Sequence, residues 1–494
     1  MSGMMVYNQD KARSNMIVGF AQLVAGNVLY KIGVACFAGI LGRLLGPDNF
    51  GLFAFSQTLA GFLVCIYDPG IGSVLLKKIQ EKSNEKNNII VSAGSIIRVA
   101  MTTVSLFVLA VIAILLGHSG ASLKIIMIIG SSVMAMSLAE TYLYIFKALM
   151  KTNYVAYTDL FKTLLIIICI VIIITFHPDL YGFSWIYFAQ CLVTLIFVLF
   201  LLFKLNIKLR FQKIKYVIKV ALFSFPFAVQ QFAITIYLYI DSIMLSMFIG
   251  MEAVGFYQAS YKLISALNII GSSLYFVVFP RYVKYYKEKN TGNLSKFVSQ
   301  TFKWQLIIAF LMCTTISCFA DEIIYLWYGN KFHQSIMILR ILIWAEGAIY
   351  LSFLATGLLL IYNKKRVLMV QGILAATVNL VFNFPAIIIW GAFGAAAVTC
   401  FTEIFVFIYL MTCVYKLQIL SLRSLLSHSS RCMFCSLLLA IFIIFLKDII
   451  FWPVLVFISV LVFILLILLF KLISREEKYY AKHYLLRLLA LVKN

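Results

Sequence analysis

Apolar stretches of membrane-spanning length follow one another along almost the whole chain. A helix needs about 20 mostly apolar residues to cross the ~30 Å of hydrocarbon in a bilayer. Because no water reaches a backbone there, the stretch must satisfy its own hydrogen bonds, as a helix does. We therefore predict an all-α polytopic membrane protein with about 14 transmembrane helices. The predicted spans are 16–41, 51–76, 89–116, 124–147, 155–176, 181–203, 220–249, 253–279, 303–327, 334–361, 367–389, 392–415, 433–450 and 452–472.

Charged residues are few and widely spread. They make up 12% of the chain, about half of the ~25% that is usual in soluble proteins. The formal net charge is +23, but the basic residues lie in many short loops and form no single patch. We therefore expect contacts with anionic membrane lipids and no nucleic-acid binding. The histidines are isolated and the cysteines are scattered through apolar segments, so we also expect no metal site.

Lysine and arginine are divided unequally between the two sets of connecting segments. Segments after even-numbered spans, with the termini, hold 32 of the 41. Segments after odd-numbered spans hold four, and five lie inside spans. Positive residues collect on the cytoplasmic side of a membrane, so both termini are predicted to be cytoplasmic. For a bacterial chain, this is the cytoplasmic (inner) membrane.

Two segments 204 residues apart share a pattern of glycine and acidic residues. "RLLGPDNFGLFAFSQTL" at 43–59 and "SMFIGMEAVGFYQASYKL" at 246–263 align Gly46 with Gly250 and Gly51 with Gly255. The offset predicts two copies of a six-helix unit with the same orientation, a parallel repeat. Two such bundles can rock against each other to expose a central cavity to either face; a static duplicated scaffold is the alternative.

The repeat divides the chain into four parts. We predict an N-lobe of helices 1–6 at 1–215 and a C-lobe of helices 7–12 at 216–415. Two further helices occupy 416–473. The basic, partly apolar tail at 474–494 is either an amphipathic helix on the inner leaflet or a solvated segment.

Charged residues inside the predicted spans are the candidate site. An ionised carboxylate at the centre of a membrane helix costs roughly 2.5–3.5 kcal/mol on insertion scales, so such groups usually face a cavity or each other. A cavity lined by lysine and arginine would bind an anion such as a phosphate. The candidate cations are Lys31, Arg98, Lys262 and Arg340, and the candidate coupling or ion-pair acids are Asp241, Glu140, Glu346 and Glu403.

Asp241 and Lys262 lie at similar predicted depth on neighbouring helices. Asp241 precedes Gly250 by nine residues, and Lys262 follows Glu252 by ten; at ~1.5 Å per residue both lie about 13 Å below the same boundary. We therefore predict an Asp241–Lys262 pair. It either holds the helices together, or Asp241 exchanges Lys262 for a proton or a substrate anion during transport.

The inner part of the second span contains helix-breaking residues. Asp68, Pro69, Gly70 and Gly72 stand in "YDPGIGSVLL" at 67–76. Proline and glycine loosen a helix at this point. The segment is predicted to be either a hinge or a kink.

Three motifs together resemble a known family. "LGPDNFGLF" at 45–53, "DPGIG" at 68–72 and "DSIMLSMFIGMEAVGFY" at 241–257 are similar to signatures of bacterial polysaccharide transporters, the Wzx-type O-antigen flippases of the MOP superfamily. "VNLVFNFP" at 378–385 resembles a fourth, with its proline one residue early. Proline at position 69 also replaces the family's usual apolar residue.

The resemblance implies a fold and a cargo. The fold would be a two-lobed bundle like those of MATE and MurJ proteins. The cargo would be an oligosaccharide on undecaprenyl diphosphate, an O-antigen or similar repeat unit in lipopolysaccharide biosynthesis, moved from the cytoplasmic to the periplasmic leaflet. No cofactor is expected beyond coupling H⁺ or Na⁺, and a polymerase and a chain-length regulator of the same pathway are possible partners.

Two other function classes stay open at this stage. A MATE-type cation-coupled exporter of small molecules would have a net acidic cavity. A polysaccharide polymerase or ligase would need catalytic groups on a large extracytoplasmic loop, and no such loop is present. We therefore expect a transporter and no enzyme.

Overall fold

A computed structural model describes the backbone of residues 2–80, 84–205, 207 and 209–473, with side chains for most of these from residue 26 onward. The regular structure in these ranges is entirely helical, as predicted. The predicted tail at 474–494 lies outside the described residues. The helices are α1 Ser2–Phe62, α2 Val64–Tyr67, α3 Ile71–Gln80, α4 Asn84–Leu115, α5 Gly120–Ala148, α6 Thr152–Phe176, α7 Leu180–Lys204, α8 Ile214–Phe248, α9 Met251–Lys287, α10 Thr291–Cys318, α11 Ala320–Trp327, α12 Gln334–Ile361, α13 Lys365–Tyr415, α14 Leu422–Leu446 and α15 Trp452–Leu469, with a 3-10 turn at Asn330–Phe332.

Two of these helices each contain parts of two predicted spans. The backbone of α1 kinks at Gly46, where φ is 75°, and that of α13 kinks at Gly391, where φ is 58°. Glycine adopts this left-handed conformation without the steric cost of a Cβ atom, so the chain turns at each point without a loop. Pro47 follows the first kink, where its fixed φ suits the first turn of a new helical segment.

The membrane-spanning count roughly agrees with the prediction. Eleven helical segments among the described residues are long and apolar enough to cross a bilayer, and Thr235–Phe248 is a shorter apolar helix. Two of the eleven are the kinked segments: Lys365–Tyr415 contains two predicted spans, and Gly26–Phe62 contains parts of two. The chain is therefore a multi-pass membrane protein.

The chain forms two compact units. The first contains Met1–Ile269, Ile324–Ile338 and Gly372–Thr399, and the second contains Ile270–Ile323, Leu339–Gln371 and Cys400–Asn494. These bounds differ from those of the predicted lobes, so the division at 215 and 415 stays a prediction. The two helices expected within 416–473 are present as α14 and α15.

The first unit has an aliphatic and aromatic core where α3, α4 and α5 pack together. Ile71, Leu75, Ala93, Ile145 and Phe146 are fully buried in it. In the second unit α10 packs along α14, where the hydroxyl groups of Thr314 and Ser436 are hydrogen-bonded. Each unit thus buries the helix faces that its own sequence leaves apolar or small.

The two halves of the predicted repeat meet within the first unit. A Cβ atom on Gly51 would lie 1.8 Å from the carbonyl oxygen of Met251, and one on Gly255 would lie 2.0 Å from that of Pro47. Met251 and Gly255 are the residues 204 positions after Pro47 and Gly51, so each half of the contact repeats the other. This reciprocal contact supports the parallel repeat.

Candidate functional site

A cavity of about 460 Å³, which we call the chamber, lies within the first unit. This volume is within the roughly 300–1,000 Å³ that is usual for ligand pockets. Helices from both predicted repeats form its wall. The lining residues are Ala54, Gln57, Thr58, Gly61, Val64, Tyr67, Asp68, Val133, Met136, Ser137, Glu140, Tyr187, Leu238, Tyr239, Gln258, Tyr261, Lys262 and Ser265.

Tyrosine and amide side chains dominate the polar part of this wall. Four tyrosines come from four different helices: Tyr67, Tyr187, Tyr239 and Tyr261. A tyrosine ring offers a flat apolar face and a hydroxyl group that donates and accepts hydrogen bonds. The chamber can therefore hold a ligand that is both polar and partly apolar, at the depth of the membrane helices.

Lys262 projects from α9 into the chamber and hydrogen-bonds a neutral partner. Its Nζ donates to Oε1 of Gln57 at 2.7 Å. One turn earlier, Gln258 donates from Nε2 to the Ser242 hydroxyl at 2.7 Å. Lys262 also lines a smaller cavity of about 80 Å³ beside the chamber. Because Gln57 carries no charge, the ammonium group remains able to attract an anion.

The predicted helix break lies at the edge of the chamber. α2 ends at Tyr67 and α3 begins at Ile71, and between them Gly70 has a φ of 77°. Pro69 has no backbone N–H, so helical bonding stops here. The structure thus places a break at Asp68–Gly70; its action as a hinge stays a prediction.

Arg98 holds the broken end of α2. Its guanidinium group is fully buried and donates to the Tyr67 carbonyl, and to both the carbonyl and the hydroxyl oxygen of Ser137 at 2.7 Å. It also lies 3.3 Å from Oδ1 of Asp68. A cation at a helix C-terminus satisfies carbonyl groups that have no partner within the helix. Arg98 therefore lies behind the chamber wall and positions Asp68, which lines it.

Asp241, on α8, lies in a buried cluster of neutral polar groups contributed by α9 and α13. Its Oδ2 accepts from the hydroxyl groups of Tyr257 at 2.7 Å and Thr399 at 2.9 Å, and its Oδ1 accepts from Nδ2 of Asn383 at 2.5 Å. Asn383 also donates to Oδ1 of Asn379 at 2.8 Å. All five side chains are at least nine-tenths buried. We call these five residues the Asp241 cluster.

The predicted Asp241–Lys262 pair is wrong. Among the described side chains, Asp241 contacts hydroxyl and amide donors and no cation, while Lys262 contacts Gln57. Equal depth on adjacent helices does not place two side chains on facing sides. The carboxylate is therefore stabilised by neutral donors alone. In addition, Oδ1 of Asn383 and Nδ2 of Asn379 are buried without a hydrogen-bond partner.

Arg340 belongs to the second unit and pairs there with Asp321. Its guanidinium group lies 2.8 Å from Oδ2 of Asp321, and Lys447 lies 2.8 Å from the same oxygen and 3.1 Å from Oε2 of Glu322. Burial lowers the pKa of Lys447, but its bonds to Asp321 and Glu322 outweigh this and raise that pKa above 10.5. This network connects the residue after α14 to the start of α11.

The other candidates are dispersed. Lys31 is half-buried on α1, and Glu140 lines the chamber from α5. Glu346 and Glu403 are buried in the second unit, on α12 and α13. Of the four predicted cations, Lys262 alone is among the described residues that line the chamber, together with the carboxylates Asp68 and Glu140. The described lining of the chamber therefore does not contain the predicted cluster of cations. The role of each individual residue stays a prediction.

Several site residues had no distinctive sequence signal. The chamber tyrosines, Gln57 and Gln258 are uncharged residues that recur throughout the spans, and so are Tyr257 and Thr399 of the Asp241 cluster. Asn379 and Asn383 did carry a signal, because residues four apart share a helix face. Their hydrogen bond and the contact of Asn383 with Asp241 agree with a role in joining helices.

Two family models match the chain. The model described as polysaccharide biosynthesis protein matches residues 19–286, which is more than half of the 494 residues. The model described as MatE matches residues 226–385. An uncharacterised membrane protein of Methanocaldococcus jannaschii, MJ1068, is 28% identical over 193 residues. That match covers 38% of this chain and 36% of the relative, about a third of its length.

Solved structures share the fold. The lipid II flippase MurJ in an inward closed conformation superposes with a TM-score of 0.73 at 14% identity, over 92% of this chain and 98% of that chain. An inward-facing multidrug resistance MATE family transporter of the MOP superfamily gives 0.60 at 15% identity, over 80% and 94%. At these identities the likeness establishes architecture alone. The predicted MATE- and MurJ-like fold is confirmed.

Proposed function

The chain belongs to the polysaccharide biosynthesis protein family of the MOP superfamily, and from this premise we propose that it is a lipid-linked oligosaccharide flippase. It would move a glycan on undecaprenyl diphosphate, such as an O-antigen repeat unit, from the cytoplasmic to the periplasmic leaflet of the bacterial inner membrane. A polymerase and a chain-length regulator would act on its product. The protein itself would make and break no covalent bond.

The chamber is the observation that carries this proposal. It combines four tyrosines with amide and hydroxyl groups, which match the alternating C–H faces and hydroxyl groups of a sugar. An ordinary bilayer offers a glycan neither hydrogen bonds nor water, so each buried polar group would cost several kcal/mol. A polar chamber at membrane depth removes that barrier while the polyprenyl tail stays in lipid.

The proposed transport cycle is one of alternating access to the two leaflets. The reciprocal contact of Gly51 and Gly255 would close one end between the two repeats, at the side that the charge distribution predicts to be periplasmic. Opening there and closing at the other end would expose the chamber to the opposite leaflet. Lys262 would then meet the diphosphate, whose negative charge is common to every cargo of this class.

A proteoliposome assay tests the proposal. Purified protein is reconstituted with a fluorescent undecaprenyl-diphosphate disaccharide, and a membrane-impermeant quencher reports how much reaches the outer leaflet. We expect the wild type and Lys284→Gln, which alters an exposed surface pair, to move the lipid faster than empty vesicles. Lys262→Gln should slow it. No movement by the wild type at any ion gradient would exclude the proposal.

We further propose that the Asp241 cluster binds the coupling ion. The carboxylate is buried among neutral partners, with a spare amide oxygen on Asn383. Oxygen ligands of this kind suit Na⁺, and a lone buried carboxylate suits H⁺. Imposing a sodium or a proton gradient separately in the same vesicles distinguishes the two ions. Asp241→Asn should abolish the response to whichever gradient drives the wild type.

A MATE-type exporter of organic cations is the second candidate. It is favoured by the MatE match over 226–385 and by the two carboxylates in the chamber. Drug susceptibility distinguishes the two functions: expression should leave the growth-inhibiting concentrations of cationic dyes unchanged if the cargo is a lipid-linked glycan. A several-fold rise that requires Glu140 would favour the exporter.

A further inference from the structure

Glu140 presents its carboxylate to the chamber and forms no direct ion pair with a described side chain. It is exposed on α5 and lines the cavity. Among the described side chains, no lysine or arginine forms an ion pair with it. Asp68, the other carboxylate of the wall, lies 3.3 Å from the buried Arg98. The two acids therefore differ: Asp68 has a direct ion-pair partner in Arg98, whereas Glu140 interacts with Arg98 only at longer range.

Lys262, the one cation among the described lining residues, forms no ion pair with Glu140 either. Lys262 donates to Gln57, and its charge is available for the diphosphate that the proposed cargo always carries. A carboxylate without a direct ion-pair partner in a confined, low-dielectric cavity repels a second anion and accepts hydrogen bonds from hydroxyl or ammonium donors. The part of the cargo that lies against Glu140 is thus expected to carry donors and no carboxylate.

We infer that Glu140 determines which glycans the chamber accepts, and that the natural glycan is neutral or carries an ammonium group, so that it contains no uronic acid. This inference rests on the proposed flippase function and names the substrate class of the same chamber. The tyrosine rings supply apolar contact area for the sugar, independent of its charge. Glu140 adds the selection by charge.

Three undecaprenyl-diphosphate disaccharides of equal length test this inference in proteoliposomes: one neutral, one with a free amino sugar and one with a uronic acid. Wild-type protein should move the first two about tenfold faster than the third, the scale of one partly screened like-charge contact. Glu140→Gln keeps the hydrogen-bonding shape and should reduce the difference to about threefold or less. Glu140→Lys should favour the uronic acid.

Glu288→Gln is the matched control. It removes one negative charge from an exposed residue directly after α9, outside the chamber lining, and should leave the preference unchanged. If the wild type moves none of the three lipids, the flippase proposal itself fails. If it moves all three at equal rates, or prefers the uronic acid, flippase activity stands and the inference about Glu140 is overturned. The wild-type comparison decides this even where a variant does not fold.

Discussion

Gly51 and Gly255 each lie against the backbone of the other repeat, with no space for a side chain at either position. A Cβ atom would be 1.8 Å from the Met251 oxygen in one case and 2.0 Å from the Pro47 oxygen in the other. Real Cβ atoms do not approach a carbonyl oxygen this closely, and backbone cannot rotate away as a side chain can. The contact therefore exists only while both residues are glycine.

Alanine at either glycine should open or destabilise this contact. We expect Gly51→Ala and Gly255→Ala each to lower stability by at least about 1–3 kcal/mol, the range for overpacking, and to reduce transport. Thermal unfolding followed by size-exclusion chromatography measures the first effect. Gly372→Ala is the control, because a Cβ there meets nothing within 4 Å. Unchanged melting of both contact variants would contradict the reciprocal packing.

Asp241 and Lys262 should behave as independent residues. Because no contact joins them, the effects of Asp241→Asn and Lys262→Gln on unfolding free energy should add within about 0.5 kcal/mol. In transport, the double variant should be no better than Asp241→Asn alone. Recovery of activity in the double variant would instead indicate an ion pair between Asp241 and Lys262. That result would contradict the contacts of Asp241 with Tyr257, Asn383 and Thr399.

Removing Arg98 should be strongly destabilising. Arg98→Met keeps much of the volume but leaves the Tyr67 carbonyl, Ser137 and the Asp68 carboxylate without their donor. Loss of one partner from a buried ion pair costs about 3–5 kcal/mol. Adding Asp68→Asn should recover part of this, because no uncompensated charge then remains. A double variant less stable than Arg98→Met would argue against the pairing.

The Lys447 network predicts a loss of stability at high pH. The pKa of Lys447 is raised in the folded protein, so its contribution is fully present below the unfolded value of 10.5 and is lost as the pH rises through the folded value. Melting temperatures measured from about pH 9 to about pH 11.5 should fall more steeply for the wild type than for Lys447→Gln. Parallel curves would show that the network contributes nothing.

Hydrophobic length by itself was sufficient to predict most of the long helices of this protein. A segment inside the bilayer must satisfy its own backbone hydrogen bonds, so a long apolar run predicts a helix. The runs 155–176 and 181–203, for example, form α6 and α7. The 204-residue offset likewise predicted the repeat, because both copies need glycine at the same close approach. The kinks at Gly46 and Gly391 were not predicted, since glycine in a span does not reveal its φ.

The partners of each buried charge were decided by the tertiary structure. Rise per residue sets the depth of a side chain, but the direction in which it points depends on how each helix is rotated and packed. Asp241 and Lys262 share a depth and face different neighbours, Arg98 turns to a broken helix end, and Arg340 turns to Asp321. The sequence therefore determined which residues enter the membrane, and packing determined which of them meet.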